Sequence, residues 1–206
     1  GLGSFFMMAV AGALMKKGVN PRTLLAVGLT TVAYSLWLMS HFNLDAGFLA
    51  VSFPRLIQGL GLGLFFVPLS AATYVNVPRE EMGNASGIFN LLRNLGGSFG
   101  VAFSSTVLAQ RTQVHQTFLV EHVTPYNPAF ENQLQGIRQW LAGGSGAAVN
   151  DTEALMVIYR EVLRQAGMLA FNDTFWVLAV ITAVLVLFTP IFKRPARTPL
   201  PMEGMH

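Results

Sequence analysis

The chain has 206 residues, of which 52% are hydrophobic and 11% charged, with a formal net charge of +3. Soluble domains carry about 25% charged residues, so this composition indicates a membrane protein. The basic residues form short clusters between apolar segments rather than one patch, which argues against nucleic acid as a partner. The chain contains no cysteine, which excludes disulfides, thiolate metal sites and cysteine nucleophiles.

The N-terminal segment, Leu2 to Met15, is an apolar stretch that we interpret as a truncated membrane span. Lys16 and Lys17 follow it, whereas a signal peptide carries its basic residues before its apolar core. Because the chain starts at Gly1 inside this apolar run, we expect it to be the C-terminal part of a longer polypeptide. A second span, Thr23 to Ser40, is about one bilayer thickness long.

The third segment, Phe48 to Val77, is long and apolar enough to cross a bilayer, yet it contains Arg55 and Gln58. Inserting a central arginine costs roughly 2.5–3.5 kcal/mol on translocon scales, so such side chains usually face protein or water. Gly59 and Gly63 lie four residues apart on one helical face, where small residues allow close helix packing. We therefore predict a span that packs against other helices around a polar path.

Two neighbouring aromatic residues of the same segment, Phe65 and Phe66, admit two interpretations. They line a cavity for flat apolar ligands, or they belong to an ordinary apolar core.

The fourth segment, from about Ala85 to Gln110, is predicted as a helix with a polar stripe. Its polar side chains recur at helical spacing, at Asn90, Arg93 and Asn94. They either bond to neighbouring helices and lock a bundle, or they line an aqueous path. Further glycines in this segment are expected to allow close packing, at Gly96, Gly97 and Gly100.

The remaining sequence divides the chain into four parts. We assign spans to 1–114, an outer loop to 115–172, a last span to 173–192 and a tail to 193–206. Within the outer loop, helical spacing predicts two amphipathic helices, Pro128–Leu141 and Asp151–Leu169. The basic clusters at Lys16–Arg22 and Lys193–Arg197 are separated by four spans, so the positive-inside rule puts both in the cytoplasm and the outer loop on the opposite side of the membrane.

The sequence offers little support for catalysis or metal binding. No carboxylate lies in the interior of a predicted span, since the nearest ones are in loops or at span ends, at Asp45, Glu80, Glu81 and Asp173. Proton-coupled carriers usually hold a titratable group in the membrane. His115, Glu121 and His122 form a loose cluster without further ligands, so we predict no metal site. Without an acid–base constellation we also predict that the protein is not an enzyme.

Three stretches resemble a known family, the EmrB/QacA-type drug:proton antiporters, which are the 14-span branch of the major facilitator superfamily. The stretch PRLIQGLGLGLFFVPLS resembles a helix of the family's C-terminal bundle, with Arg55, Gln58 and Gly59 at its core. The stretch GNASGIFNLLRNLGGSFGVA resembles the next helix, and GALMKKGVNPRTLLAVG resembles a basic cytoplasmic loop. The resemblance implies an all-α fold, namely the C-terminal half of a polytopic transmembrane helix bundle.

The resemblance also implies export of lipophilic compounds from the bacterial inner membrane in exchange for protons, without a cofactor. It implies contact with membrane lipid, and a periplasmic membrane-fusion adaptor and an outer-membrane channel as partners. By analogy, structural or gating roles fall to Arg55, Gln58, Asn90, Arg93 and Asn94. Two alternatives remain at this point: a nutrient/proton symporter of the same superfamily, and a non-transporting scaffold that acts through its periplasmic loop.

Overall fold

The computed structural model describes residues 1–74, 77–121, 123–124, 126, 128–145 and 151–191, and within these ranges the chain is helical without a strand. The predicted all-α fold is therefore confirmed. The helices described are α1 (Leu2–Lys16), α2 (Pro21–Met39), α3 (Phe48–Tyr74), α4 (Met82–Glu121), α5 (Pro128–Ser145) and α6 (Asp151–Leu187). Short 3-10 helices lie at Arg79–Glu81 and Thr189–Ile191. The basic tail beginning at Lys193 lies outside the described residues.

The chain divides into two compact units. Unit 1 consists of the described residues of Gly1–Leu36, Ser52–Gly96 and Ala179–His206. Unit 2 consists of the described residues of Trp37–Val51 and Gly97–Leu178.

Three of the described helices are long and apolar enough to cross a membrane by length and composition: α2, α3 and the Thr152–Leu187 part of α6. The helix α1 is apolar and has 15 residues, which is shorter than these three. The predicted fourth span lies within α4, which does not meet the same criterion. Its polar stripe and its polar C-terminal turns lower its mean hydropathy, and its membrane crossing stays a prediction.

A tight turn joins α1 to α2. The amide of Gly18 donates to the carbonyl of Met15 at 3.0 Å, and the amide of Val19 donates to that of Leu14 at 3.1 Å. This pair of bonds is the Schellman motif, which places the residue after the helix in the left-handed region. Gly18 has φ 86°, a conformation that glycine adopts without a Cβ clash. Pro21 then begins α2, where its missing N–H costs no helical bond.

Glycines let α3 approach both α1 and α2 closely. A Cβ added to Gly63 would lie 2.7 Å from the carbonyl oxygen of Ser4 in α1. A Cβ added to Gly61 would lie 2.9 Å from the carbonyl oxygen of Gly28 in α2 and equally far from the amide nitrogen of Val32. These backbone distances leave no room for a side chain, so α3 is the central helix of this three-helix layer.

A buried hydroxyl also ties α2 to α3. Ser35 is fully buried, and its Oγ donates to the carbonyl oxygen of Pro54 at 2.6 Å. A carbonyl oxygen has two lone pairs and can accept this bond beside its helical one. Hydrogen bonds between membrane helices contribute about 0.6 kcal/mol on average and about 1.7 kcal/mol at most.

We expect Ser35→Ala to lower the free energy of unfolding by about 0.5–2 kcal/mol, because the Pro54 carbonyl loses an interhelical donor. Reversible unfolding in mixed micelles measures this loss. The matched control is Thr30→Ala, since the Thr30 hydroxyl donates to the Ala26 carbonyl within its own helix. Equal stability changes in the two variants would contradict the role given to Ser35.

The helix α6 joins two elements that were predicted separately. The expected amphipathic helix Asp151–Leu169 and the first part of the expected last span, 173–192, form one helix of 37 residues, and the division between outer loop and last span stays a prediction. The intervening Asn172, Asp173 and Thr174 suggested a turn by composition alone. Their side chains are instead engaged, since Asn172 donates to the Phe42 carbonyl and Thr174 to the Ala170 carbonyl. Without glycine or proline at this point, nothing ends the helix.

The buried face of α6 also differs from the predicted one. The sequence pattern favoured Leu155, Ile158, Val162 and Leu169, but Leu155 and Leu169 are each more than 40% exposed. Alanines are buried instead, at Ala154, Ala166 and Ala170, together with Ile158. Small residues at helical spacing allow close backbone approach, so residue size rather than hydrophobicity decides which face packs inward.

The predicted helix Pro128–Leu141 is present as α5, which continues to Ser145. Its predicted apolar face is half-buried, at Phe130, Leu134, Ile137 and Leu141.

Candidate functional site

A contact between α3 and α4 in unit 1 joins two of the predicted site residues. The guanidinium carbon of Arg93 lies 5.2 Å from the ring centroid of Phe66. Phe66 in turn meets Phe65 edge to face, with centroids 5.5 Å apart. A cation over an aromatic face gains about 0.5–2 kcal/mol, more when both groups are removed from water. The pair thus holds a positive charge at a fixed place beside an aromatic surface.

A further aromatic contact lies about one turn away along α4 and about two turns away along α3. Tyr74 of α3 and Phe89 of α4 have ring centroids 5.8 Å apart. Two aromatic contacts therefore fix the register of the first half of α4 against α3.

The helix α4 presents two opposite faces between Ile88 and Phe99. At 100° per residue, its large apolar side chains share one face, at Ile88, Leu92, Leu95 and Phe99. The opposite face carries the predicted polar stripe, with Asn90, Arg93, Asn94 and Gly97. Both faces are exposed from Leu91 to Gly100. One helix surface therefore suits hydrocarbon, and the other suits water or polar partners.

The other predicted polar residues lie on α3. Arg55 is exposed and Gln58 is half-buried, one turn further along the helix.

The predicted packing glycines fall into two groups. Gly59 and Gly63 face α1, where an added Cβ would lie 3.2 Å from the Ser4 nitrogen and 2.7 Å from the Ser4 oxygen, respectively. The second group lies on α4, where no described atom comes within 4 Å of an added Cβ, at Gly96, Gly97 and Gly100. A packing role for the second group stays a prediction.

Unit 2 contains a charged cluster between α4 and α6. The Nε2 atom of His115 lies 2.8 Å from the Oδ2 atom of Asp173, and the Nε atom of Arg111 lies 3.7 Å from the same oxygen. His115 is the least exposed of the three, with 25% of its side chain accessible. The pairing joins residues 58 positions apart in sequence.

One part of this cluster has a local signature in the sequence. Arg111 and His115 are four residues apart, which puts both on one helical face. Their partner Asp173 was assigned to a span end, and no local pattern connects it to them. The link between α4 and α6 therefore emerges from the structure.

A cavity of about 650 Å³ opens beside this cluster. The described residues that line it are Gln113, Val114, His115, Thr117, Phe118 and Glu121. Water can therefore reach the His115 ring from this side. Among the described residues, no group of three or more His, Asp or Glu side chains is arranged to hold a metal ion. His122, the third member of the loose cluster noted in the sequence, lies outside the described residues.

Comparison with known proteins matches residues 1–121 to the sequence profile of the Major Facilitator Superfamily. The chain is 29% identical over 163 residues to the "Multidrug export protein EmrB" of Haemophilus influenzae, covering 79% of this chain and 31% of that protein. It is 32% identical over 176 residues to the "Colistin resistance protein EmrB" of Acinetobacter baumannii, covering 85% of this chain and 34% of that protein. No solved structure matches the chain significantly.

A third relative, the "Fatty acid resistance protein FarB" of Neisseria gonorrhoeae, is 25% identical over 190 residues. That match covers 92% of this chain and 36% of the relative. The chain thus spans about a third of the length of the curated relatives it matches.

Proposed function

Because this chain belongs to the major facilitator superfamily, we propose that it is the C-terminal part of an inner-membrane permease that exports lipophilic compounds. The similarity to proteins named for multidrug export, colistin resistance and fatty acid resistance supports this function. A fatty acid combines an apolar chain with an ionisable head group, so a preference for amphipathic compounds fits the name of the third relative.

The observation that carries the proposal is the division of α4 into two faces. The apolar face with Leu92 and Phe99 suits lipid, while the face with Asn90, Arg93 and Asn94 would line the route of the exported compound. Polar and ionisable residues inside membrane proteins mark substrate and ion pathways far more often than lipid contacts. In this proposal the aromatic pair Phe65 and Phe66 meets the apolar part of the compound, and Arg93 beside it fixes the local charge.

Transport would follow alternating access, in which two helical bundles rock about a site near the middle of the membrane. Energy would come from the proton gradient, so that the permease needs no cofactor. Arg55 and Gln58 would take part in gating. Both lie in the N-terminal half of α3, the helix that α1 and α2 pack against.

The proposal also covers the orientation of the chain in the membrane and its partner proteins. The turn at Lys16–Arg22 and the C-terminal tail would lie in the cytoplasm, since basic loops are retained there. The helix α5 and the first half of α6 would then lie on the periplasmic side. The resemblance to EmrB-like permeases supports a periplasmic membrane-fusion adaptor and an outer-membrane channel as partners.

Dye efflux tests this function. We expect bacteria that lack their own pumps and express the full-length permease to expel a preloaded lipophilic dye at least about tenfold faster than cells with empty vector. A protonophore should abolish the difference. Fluorescence decay after dye loading measures both rates.

A matched pair of variants links the assay to α4. Asn94→Ala removes a polar group from the stripe and should reduce efflux, whereas Asn132→Ala on the exposed surface of α5 should leave it unchanged. Retention of dye equal to that of empty-vector cells, with the permease present in the membrane, would refute export. Protonophore-insensitive efflux would refute proton coupling alone.

A further inference from the structure

In the charged cluster of unit 2, the contact between His115 and Asp173 requires a proton on the histidine ring. An ionised carboxylate is an acceptor only, so the Nε2 atom of His115 carries the hydrogen in its 2.8 Å contact with Asp173. The Nδ1 atom of the neutral ring is then an acceptor. The adjoining cavity gives water access to the ring, so a solvent proton can bind Nδ1 without breaking the contact with Asp173.

We propose that His115, Asp173 and Arg111 form a proton-binding site that fastens α4 to α6 and is tightest when His115 is protonated. Protonation turns a neutral donor into a charged one, and hydrogen bonds between ionised partners are roughly twice as strong as neutral ones. Histidine is the side chain whose charge ordinarily changes between pH 5 and 8. Changing the pH therefore tests how much this proton contributes to the contact between α4 and α6.

Arg111 keeps a positive charge beside Asp173 in both protonation states of His115. Arginine stays protonated, and its Nε atom is 3.7 Å from the Asp173 carboxylate, so one cation remains when His115 is neutral. Loss of the histidine proton therefore weakens the contact between α4 and α6 but does not abolish it.

Other charged groups lie on the elements that pack at the site. On α6, Glu161 and Arg164 pair with each other at 3.8 Å. Glu121 lines the same cavity nearly two turns along α4.

Asn172 binds the carbonyl of Phe42, which brings the turn after α2 to the site, and the titratable groups of that turn are His41 and Asp45. The Nδ1 atom of His41 is 2.9 Å from the Trp37 carbonyl of its own helix end, so His41 is engaged elsewhere.

A second contact between α4 and α6 contains no histidine. Gln116 lies 3.5 Å from the hydroxyl of Tyr159, a neutral hydrogen bond at the limit of useful length. It provides a matched control, because removing it takes away a link between the two helices and leaves the proton site intact.

The test measures the distance between α4 and α6 in the full-length protein, reconstituted in nanodiscs, as a function of pH. Spin labels at Val120 and Leu169, both more than 40% exposed, report the distance by pulsed electron resonance. We expect the ratio of close to separated populations to be at least about fivefold higher at pH 5.5 than at pH 8. The readout is a distance, so it is independent of which compound the permease exports and of whether it exports one.

His115→Gln keeps a neutral donor that cannot gain a proton, and we expect a distance distribution that no longer changes with pH. Asp173→Asn should remove the pH dependence as well, and either variant suffices if the other fails to fold. Tyr159→Phe and His41→Gln should keep the wild-type response. A wild-type distribution that is the same at both pH values would overturn the proposal, as would a response that survives in His115→Gln or Asp173→Asn.

Discussion

Replacing Gly61 with leucine is expected to remove most of the folded protein from the membrane. A Cβ at this position would lie 2.8 Å from a methyl group of Val32 and 2.9 Å from the Gly28 carbonyl oxygen. The reciprocal substitution, Gly28→Leu, would place its Cβ 2.9 Å from the Gly61 oxygen. Most of these obstacles are backbone atoms, which no rotamer change can move, so α2 and α3 must separate.

Separation of α2 from α3 would also lengthen the Ser35 to Pro54 bond, since both contacts join the same two helices. Inserting even a methylene into a packed core costs about 1–3 kcal/mol, and a leucine here adds four carbons. We therefore expect Gly61→Ala to lower stability by about 1–3 kcal/mol and Gly61→Leu to prevent assembly. Fluorescence-detected size exclusion of a fusion protein measures the folded fraction.

The control for this prediction is Gly12→Ala in α1. No described atom lies within 4 Å of a Cβ added to Gly12, and alanine is the better helix former by about 1 kcal/mol. We expect that variant to be as abundant as wild type. A Gly61→Leu protein that elutes and melts like wild type would show that α2 and α3 are not held at the observed distance.

The second large effect is expected at Arg93. Arg93→Ala removes the charge that lies 5.2 Å from the Phe66 ring. We expect it to reduce dye efflux at least about tenfold, which corresponds to about 1.4 kcal/mol in the free-energy barrier of the rate-limiting step. Arg93→Lys retains the charge but not the planar guanidinium that stacks on a ring, so we expect an intermediate rate. Phe66→Leu keeps the apolar volume and loses the aromatic face.

A double-mutant cycle separates this contact from the charge itself. If Arg93 acts through Phe66, the combined variant should be little worse than either single one. Arg79→Ala, in the exposed 3-10 helix before α4, provides the matched arginine control and should transport normally. Additive losses from Arg93→Ala and Phe66→Leu would show that the two side chains work independently.

The features predictable from sequence were those with a strong local pattern. Apolar length located α2 and α3, and Gly18 with Pro21 marked the turn before α2. The spacing of Gly59 and Gly63 identified a face of α3 that does approach another helix closely. The polar stripe of α4 is a property of one helix, so periodicity alone could describe it.

The features that escaped prediction depend on partners distant in sequence. Aspartate is a residue type that is common in turns, so Asp173 suggested one. Its partner His115 lies 58 positions earlier in the sequence, and this pairing offsets the cost of a charge within a helix. The buried face of α6 was misjudged because hydrophobicity favoured Leu155 over Ala154, whereas close packing selects the smaller side chain. Neither the pairing of Asp173 nor the buried face of α6 can be recognised from the sequence of a single helix.

The continuity of α6 has a consequence at the membrane interface. At 1.5 Å per residue its 37 residues extend about 55 Å, nearly twice the thickness of the hydrocarbon core. If α6 crosses a bilayer along the normal, roughly 25 Å of its length projects beyond the hydrocarbon core. The helical hydrogen bonds continue through that projecting part, so its backbone polar groups are paired on both sides of the interface.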